Sequence, residues 1–483
     1  MKFKKTLAAL RLEAGAQSSL KRTLTSFNLI ALGIGAIIGS GLFSLTGLAA
    51  ANNAGPAVTI SFIIGAVACA FAGLCYAEFA SMIPVAGSAY TYSYATMGEF
   101  MAWIIGWDLV LEYALGAATV SISWSQYLIK FLHYFDITIN PRLTMSPWEH
   151  VTLADGHLVT GWINLPAVFI VVCLSLLLIR GTQESAFINN FLVILKVAVV
   201  LVFIAVGWGY INPANHTPYI PENTGKFGEF GWSGVLRGSG VVFFAFIGFD
   251  AVSTAAQEAE DPKTGMPVGI IGSLVICTIL YILFSHVMTG VANYKEFKDS
   301  AAPVAVAIAK TPYAWLQKAL IIAILAGYTS VILVMLMGQS RIFYTMSKDG
   351  LVPPVFGKLH RKFKTPYRSN ILFALFVSLF AAFIPVRVVG EMVSIGTLFA
   401  FVLVCAGVLV IRKTDPDLPR PFKTPWLPFV PIAGMVICFV LMLGLPADTW
   451  IRLAAWMVIG LVVYYTYGMK HSKIRQASAP TDQ

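Results

Sequence analysis

The sequence predicts an all-α membrane protein with about 12 transmembrane helices. Of its 483 residues, 58% are hydrophobic and only 12% are charged, whereas a soluble domain carries about a quarter charged residues. Apolar runs long enough to cross a bilayer, about 20 residues, recur along the whole chain. These runs are too continuous for barrel strands, which alternate apolar and polar residues over roughly 10 positions.

The predicted spans follow one another with short connections and leave no room for a separate soluble domain. The first six lie near residues 27–51, 57–83, 99–129, 163–179, 187–210 and 237–257, and six more lie near 267–291, 314–346, 370–385, 389–411, 427–444 and 451–468. The longest connection, residues 130–162, is expected to be a surface loop.

The net charge of +10 is concentrated in particular connections. Basic residues cluster before the first span, after the eighth, after the tenth and after the last. With an even number of spans these segments share one side of the membrane, which the positive-inside rule makes the cytoplasm. We therefore expect a multi-pass protein of the plasma membrane with both termini in the cytoplasm. Membrane lipid accounts for the charge better than nucleic acid does.

Two spans carry glycines in their middle rather than at their ends. They are the first, with Gly39-Ser40-Gly41, and the sixth, with GSGVVFFAFIGFD at 238–250. Because they lie five spans apart they cross in opposite directions, as the corresponding broken helices of inverted repeats do. The predicted organisation is an N-terminal arm (1–26), two inverted repeats of five helices each (27–210 and 237–411), two further helices (412–468) and a cytoplasmic tail (469–483).

The break predicted in the first span offers polar groups to a ligand. A break frees backbone groups that lipid cannot satisfy, so it persists only where protein, water or a ligand supplies partners. The N–H groups of Gly39, Ser40 and Gly41 suit a carboxylate, helped by the positive end of the outer half-helix. The carbonyl groups of Ile37 and Ile38 suit an ammonium group. The first break would therefore contribute half of a polar site.

The sixth span offers a second set of backbone groups, near Phe244, Ala245 and Ile247. Together the two breaks fit the zwitterionic head of an amino acid. The alternative is that small residues only let helices pack closely. For Gly33 and Gly35 that alternative is as good as a functional role, whereas for the break itself the binding role is preferred.

Five stretches keep a specific order and spacing: GIGAIIGSGLF at 33–43, CYAEFASMIPVAGSAYTYSY at 75–94, GWDLVLEY at 106–113, FFAFIGFDAVSTAAQE at 243–258 and RIFYTMSKDGLVP at 341–353. With them the chain resembles the amino acid-polyamine-organocation superfamily over nearly its whole length. Within it the chain is most similar to the cationic amino acid transporter branch and its bacterial homologues. The resemblance implies the five-plus-five inverted repeat of the sodium-coupled LeuT type, with broken helices 1 and 6.

The same resemblance implies an amino acid held between the first and sixth helices. Ser40 and Gly41 would lie at its carboxylate. The residues implied at its amine are Ile37, Phe244, Ala245 and Ile247. Phe244 and Phe246 are candidates for an aromatic gate over the side chain.

Lys196 lies within the apolar run FLVILKVAVVLVFIAV, where an unpaired charge is costly. One interpretation is that its side chain reaches to the membrane interface. The resemblance implies another, because a lysine at the matching place of the fifth helix stands in for the sodium ion of sodium-coupled relatives. Protonated Lys196 would then hold the broken first helix through its carbonyl groups and release it on deprotonation. We therefore expect coupling to protons rather than to sodium.

Four further side chains lie within predicted spans. The matching family position of Glu112 approaches the binding site, where it would place a cationic side chain or take part in proton movement. Asp108, four residues earlier on the same helical face, is expected to be a helix-end or interfacial charge. Asp250 would partner the sixth-span break and is a weaker candidate for proton coupling. Met335 would line the side-chain pocket, although methionine often serves only in packing.

Other polar residues are expected to be structural. Glu78 would pair with cytoplasmic basic residues, and His286 would be a hydrogen-bonded packing residue. The six cysteines all lie in predicted spans, so no disulfide framework is expected.

The combined prediction is a proton-coupled amino acid permease that works by alternating access. An amino acid exchanger is the closest alternative, and a sensor or channel on the same fold is a more distant one. An enzyme is not expected, because the sequence has no HExxH motif, no Cys/His cluster and no nucleophile elbow. No catalytic residue, metal or cofactor is predicted. The sequence leaves open whether the side chain is cationic or small and neutral, and whether a small membrane protein or a second copy binds.

Overall fold

The chain is almost entirely helical in the computed structural model, which describes residues 3–5, 24–83, 88–152, 157–181, 186–256, 259–298, 300 and 302–478. Within that part, eight helical stretches are long and apolar enough to cross a membrane: Gly41–Met82, Glu99–His133, Asn190–Trp208, Gly231–Ser253, Pro262–Val291, Ala314–Lys348, Val386–Thr414 and Ala447–Ala477. Four shorter apolar helices accompany them: Ser26–Ile37, Leu165–Arg180, Tyr367–Phe383 and Phe429–Gly444. The all-α class is confirmed.

The helices of the first half are α1 (Ser26–Ile37), α2 (Thr46–Ala49), α3 (Val58–Met82), α4 (Ser88–Thr96), α5 (Glu99–Val110), α6 (Gly116–His133), α7 (Leu165–Arg180) and α8 (Ala186–Trp208). Those of the second half are α9 (Gly231–Val242), α10 (Ala251–Thr254), α11 (Pro262–Val291), α12 (Pro303–Ile308), α13 (Ala314–Lys348), α14 (Tyr367–Phe383), α15 (Val386–Thr414), α16 (Phe429–Gly444), α17 (Ala447–Val463), α18 (Met469–His471) and α19 (Lys473–Ser478). Single π-helical turns lie at Gly41–Leu45, Ala50–Ala54, Leu111–Leu115 and Tyr464–Gly468. Short 3₁₀ turns lie at Gly55–Ala57, Pro141–Leu143, Pro213–His216, Phe243–Phe246, Tyr294–Phe297 and Pro354–Gly357.

Two elements differ from the prediction. The expected loop at 130–162 contains an antiparallel hairpin, β1 (His150–Thr152) and β2 (Leu158–Thr160), in which His150 pairs with Thr160. Helix α4 joins the second and third predicted spans and is buried along almost all of its length. It has nine residues, many of them hydroxyl-bearing. It is therefore too short and too polar to be predicted as a membrane span.

The basic N-terminal arm falls mostly outside the described residues, as do residues 84–87 and 257–258 of the resembling stretches and the end of the tail. The described parts of both termini meet at the start of α5. The Glu99 amide donates to the Phe3 carbonyl at 3.0 Å, and Arg475 in α19 pairs with the Glu99 carboxylate at 2.7 Å. Both termini therefore lie on one face of the molecule, called here the terminal face.

The first predicted span is enclosed by other helices. Helix α1 packs against α8, α11 and α13, and α11 also packs along α3. On the other side of the molecule α15 packs against α16 and α3. This arrangement places the middle of the first span in the interior, where its backbone groups depend on protein partners.

Glu78, near the end of α3, is buried and paired as expected. Arg412 binds it with two parallel hydrogen bonds, Nε to Oε1 at 2.8 Å and Nη2 to Oε2 at 2.9 Å. Arg420 Nε lies 3.3 Å from the same carboxylate, and the Thr424 amide donates to it at 2.8 Å. The cluster fastens the connection between α15 and α16 onto α3.

We predict that Glu78→Gln destabilises the protein strongly, because two arginines lose their counter-charge inside the structure. Removing one partner of a buried ion pair costs about 3 to 5 kcal/mol. The matched control is Glu229→Gln, which breaks an exposed pair with Lys226 and should change the stability little, because exposed ion pairs are screened by solvent. The measurement is the midpoint temperature of thermal unfolding (Tm) in detergent. Equal Tm changes for the two variants would contradict the assignment.

His286 in α11 does not stand alone. Its ring lies 4.5 Å, centre to centre, from that of His216 in the connection before α9. His216 Nε2 is 3.2 Å from the Thr289 hydroxyl. Partial burial, then the neighbouring His286, lower the pKa of His216 below its usual value.

We predict that this connection loosens as the pH falls. Because the folded state disfavours protonated His216, the unfolded state binds the proton more readily, and stability is lost as the pH drops through the ordinary histidine range near 6.5. The Tm difference between about pH 8 and about pH 5 should shrink in His216→Gln and stay unchanged in His133→Gln, which alters an exposed histidine. A wild-type pH response in His216→Gln would show that this prediction is wrong.

Candidate functional site

The first span is broken where the glycines predict it. Helix α1 ends at Ile37, and Ile38 is extended with φ −72° and ψ 103°. The Ile38 amide makes the last bond of α1, to Ile34, and a new helical run begins when the Phe43 amide donates to the Gly39 carbonyl. The amides at the start of that run have no partner within the helix. These amides, of Gly39, Ser40 and Gly41, are the ones that the sequence predicts to bind a carboxylate.

The sixth span is broken in the same way. After α9 the chain forms the 3₁₀ turn Phe243–Phe246, and Ile247 is then extended with φ −62° and ψ 137°. Gly248 follows with φ +113°, a conformation that favours glycine. The short helix α10 then resumes at Ala251.

The two breaks are in direct contact. A Cβ atom on Gly41 would collide with the backbone of Ala245, and one on Gly248 would lie 2.9 Å from the Ala36 carbonyl oxygen. Tyr281 of α11 joins them, because its hydroxyl lies 3.0 Å from the Ile37 carbonyl oxygen and 2.9 Å from that of Ala245. It donates to one of the two at a time, which leaves acceptor capacity for another donor.

Side chains bind two carbonyl groups just after the first break, and one buried hydroxyl group beside the break is unpaired. Tyr127 donates to the Phe43 carbonyl at 2.6 Å, and Thr46 donates to the Gly41 carbonyl at 3.0 Å. The Ser40 hydroxyl is buried and has no hydrogen-bond partner. An unpaired buried hydroxyl costs free energy, so it marks the position where a ligand would gain most.

Lys196 lies at the end of α1 and not at an interface. Its side chain is 1% exposed, and its ammonium donates to the Gly35 carbonyl at 2.6 Å. Gly35 O belongs to the last turn of α1, where carbonyl groups lack helical partners and the helix dipole favours a cation. The carbons of Lys196 pack against Gly327 of α13. The lysine therefore links α8 to the end of the inner half-helix.

Glu112 and Asp250 lie side by side in the interior. Glu112 is in the π turn Leu111–Leu115 and is 1% exposed. Its carboxyl group faces that of Asp250 and the Thr397 hydroxyl, and neither of its oxygens has a hydrogen bond of good geometry within the described part of the chain. Asp250 accepts from Tyr113 at 2.7 Å and from Ser88 at 3.2 Å through one oxygen. Its other oxygen has no partner. The structure thus brings together two acids that lie far apart in the sequence.

Asp108 is not an interfacial charge, contrary to expectation. It is 1% exposed, and both carboxyl oxygens lack a hydrogen-bond partner. Oδ1 lies 3.2 Å from the place where a Cβ on Gly396 would be, so the carboxyl group faces the backbone of α15. The prediction failed because nothing in the local sequence indicates that α15 covers this side of α5.

The remaining candidates differ in where they lie. Met335 of α13 packs against Gly116, one turn after Glu112, and Val331 of the same helix lies against Gly39. Phe244 is buried beside the sixth-span break. The Phe246 ring packs against Phe62 and Tyr281, at 6.1 and 5.3 Å between ring centres. Phe246 therefore belongs to the packing of α3 and α11, and Phe244 is the better gate candidate.

Tyr281 and Tyr113 are site residues that the sequence reasoning missed. Each carries a phenol into the middle of an apolar helix, and a buried tyrosine hydroxyl usually has a partner. That signal indicates a buried polar site, but it does not indicate which carbonyl or carboxylate the hydroxyl reaches.

Comparisons with known proteins identify the family. A family model described as amino acid permease matches residues 24–464. The chain is 46% identical over 473 residues to the branched-chain amino acid permease BcaP of Bacillus subtilis, covering 98% of each chain. It is 40% identical over 473 residues to the methylthioribose transporter of the same bacterium, covering 98% of this chain and 99% of that one. It is 32% identical over 415 residues to cationic amino acid transporter 4 of Mus musculus, covering 86% and 64% respectively.

We predict that Gly41→Ala pushes the two breaks apart, since its Cβ would meet the backbone of Ala245. Overpacking of this kind costs about 1 to 3 kcal/mol. Gly39→Ala should be milder, because its Cβ would find only Val331 Cγ2, at 3.4 Å. Gly209→Ala, whose Cβ would have no atom closer than 3.9 Å, is the control. Ranking the Tm values of the three variants is the measurement, and Gly41→Ala equal to the control would contradict the packing described.

Proposed function

Because the chain belongs to the amino acid permease family, we propose that it is a secondary active transporter that carries a free amino acid across the plasma membrane by alternating access. The observation that carries the proposal is the direct contact of the two broken helices beside the unpaired Ser40 hydroxyl. No covalent chemistry is needed. Transport follows from different affinities of the outward and inward states for substrate and proton.

The proposed architecture has twelve crossings. Helices 1 to 5 (27–210) and 6 to 10 (237–411) form inverted repeats, each beginning with a broken helix. Two further helices (412–468) follow, between an N-terminal arm (1–26) and a tail (469–483). The terminal face is cytoplasmic, because Lys348 at the end of α13 and the basic tail lie together there, where the Lys473 amide donates to the Asp349 carbonyl at 3.1 Å.

The amino acid head group lies between the breaks. Its carboxylate accepts from the Ser40 hydroxyl and from the amides of Gly39 and Gly41, at the positive end of the outer half-helix. Its ammonium donates to the carbonyl groups of Ile37 and Ile38 and to those of the sixth-span break. Phe244 closes over the side chain.

The surroundings of the break favour an apolar side chain. Val331 packs against Gly39 and Phe244 is buried in the sixth-span break, while Met335 lies one turn further along α13 against Gly116. The relative with 46% identity is a branched-chain amino acid permease. We therefore propose leucine, isoleucine and valine as substrates ahead of lysine and arginine.

Lys196 supplies the coupling to protons. When protonated, its ammonium holds the Gly35 carbonyl and so fixes the inner half of the first helix. Loss of the proton removes the ion–dipole attraction and weakens that bond. The inner half-helix is then free to swing, which links proton release to opening toward the cytoplasm.

Uptake into liposomes by the purified protein tests the function. We expect saturable uptake of radiolabelled leucine that needs an inward proton gradient, is abolished by a protonophore and does not respond to sodium. Unlabelled isoleucine and valine should compete, and lysine and methylthioribose should not. Competition by methylthioribose alone would overturn the amino acid assignment.

The same vesicles separate the alternatives. Uptake only into vesicles preloaded with amino acid would identify an exchanger, and flux that never saturates would identify a channel. Binding of leucine without any flux would identify a sensor.

For the coupling residue, we predict that Lys196→Ala abolishes accumulation driven by the proton gradient and flattens the pH dependence of any remaining uptake. The buried Gly35 carbonyl loses a charged donor, an interaction worth about 1.5 to 3 kcal/mol. Lys130→Ala, which removes an exposed lysine at the end of α6, is the control and should leave uptake unchanged. Wild-type pH dependence in Lys196→Ala would rule out the proposed role.

A further inference from the structure

Asp108 is a buried acid with no partner to stabilise its charge. Both its oxygens are inaccessible and without hydrogen bonds, and no Lys or Arg among the described residues forms an ion pair with it. An ionised carboxylate in such surroundings costs many kcal/mol, and such a group takes up a proton instead. The same reasoning distinguishes it from Glu99 and Glu78, which have arginine partners.

The neighbours of Asp108 are acids and hydroxyl groups. Glu112 lies four residues on, which is about 6 Å along a helix and on the same face, and its carboxyl interacts with that of Asp108. Asp250 lies beside Glu112. The Thr397 hydroxyl of α15 is unpaired in the same region and lies near Glu112.

Other titratable groups face this row from the helices packed around it. They are Tyr113, which donates to Asp250 at 2.7 Å, and Tyr76 and Tyr92, whose hydroxyl groups are buried without a hydrogen-bond partner. All three are neutral, so they do not offset negative charge. Three adjacent carboxyl groups without a cation cannot all be ionised, since like charges at close range exclude one another.

Asp108 is also nearer the terminal face than Glu112 is. It precedes Glu112 along a helix that begins at Glu99, where both termini dock. The π turn Leu111–Leu115 contains Glu112 and begins three residues after Asp108, and such turns often occur at functional sites.

We propose that Asp108 is a proton-binding residue of the transport cycle, which exchanges its proton with the Glu112–Asp250 pair and passes it toward the terminal face. The step is a transfer of one proton between carboxyl oxygens, directly or through water, so that one acid becomes neutral as its neighbour becomes ionised. The proposal rests on the proton coupling proposed above but not on Lys196. It adds a second proton site to the carrier.

Infrared spectroscopy and flux measurements on the full chain in lipid test the proposal together. The wild type should show a carbonyl band of a protonated carboxylic acid at neutral pH that changes when leucine is added. Asp108→Asn, which fills the same volume but cannot exchange a proton, should remove that band. It should also lower the number of protons moved per leucine, measured with a pH-sensitive dye, while leucine binding keeps wild-type affinity. Asp448→Asn, at an exposed acid, is the control and should change none of these.

The outcomes are distinguishable. If Asp108→Asn loses the band but moves protons and leucine as the wild type does, Asp108 is a permanently neutral packing group and the relay is overturned. An unchanged band in Asp108→Asn overturns the assignment of the proton to this residue. If wild-type uptake is independent of the proton gradient while the band and its loss remain, the proton coupling fails and the relay fails with it, although leucine transport stands.

Discussion

The structure depends on one constraint: backbone groups freed by a broken helix must find partners where lipid offers none. Two helices are broken, at Ile38 and at Ile247, and they are placed against each other. Tyr281 serves carbonyl groups of both, and Lys196 caps the end of the inner half of the first. Other buried polar side chains bind backbone groups close by, such as Tyr127 and Thr46 just after the first break.

The exceptions indicate function. Among the described residues, the Ser40 hydroxyl has no hydrogen-bond partner, and the same is true of each carboxyl oxygen of Asp108 and of Glu112. A buried polar group without a protein partner must bind a ligand or a proton, or else it carries an energetic cost. The zwitterion of an amino acid suits the Ser40 hydroxyl, and protons suit the carboxyl groups of Asp108 and Glu112. Substrate and proton would thus occupy neighbouring parts of one polar interior.

Sequence reasoning located the breaks and Lys196 because their signals are local: glycines in the middle of a span, and a charge within an apolar run. It could not foresee that Gly396 of α15 leaves room for the Asp108 carboxyl, or that Tyr281 reaches both breaks, since those contacts join segments far apart in the chain. Helix α4 was not predicted, because its nine residues pack through tyrosine rings and not through a long apolar face.

The central claim is that an amino acid binds where the two breaks meet. Amide hydrogen exchange followed by mass spectrometry, with and without leucine, tests it most directly, because the ligand would occupy amides that the helix leaves free. The account predicts slower exchange in peptides covering Gly39–Phe43 and Phe244–Gly248, with no change in the hairpin of β1 and β2. Protection confined to other segments, with both breaks exchanging as in the unliganded protein, would contradict it.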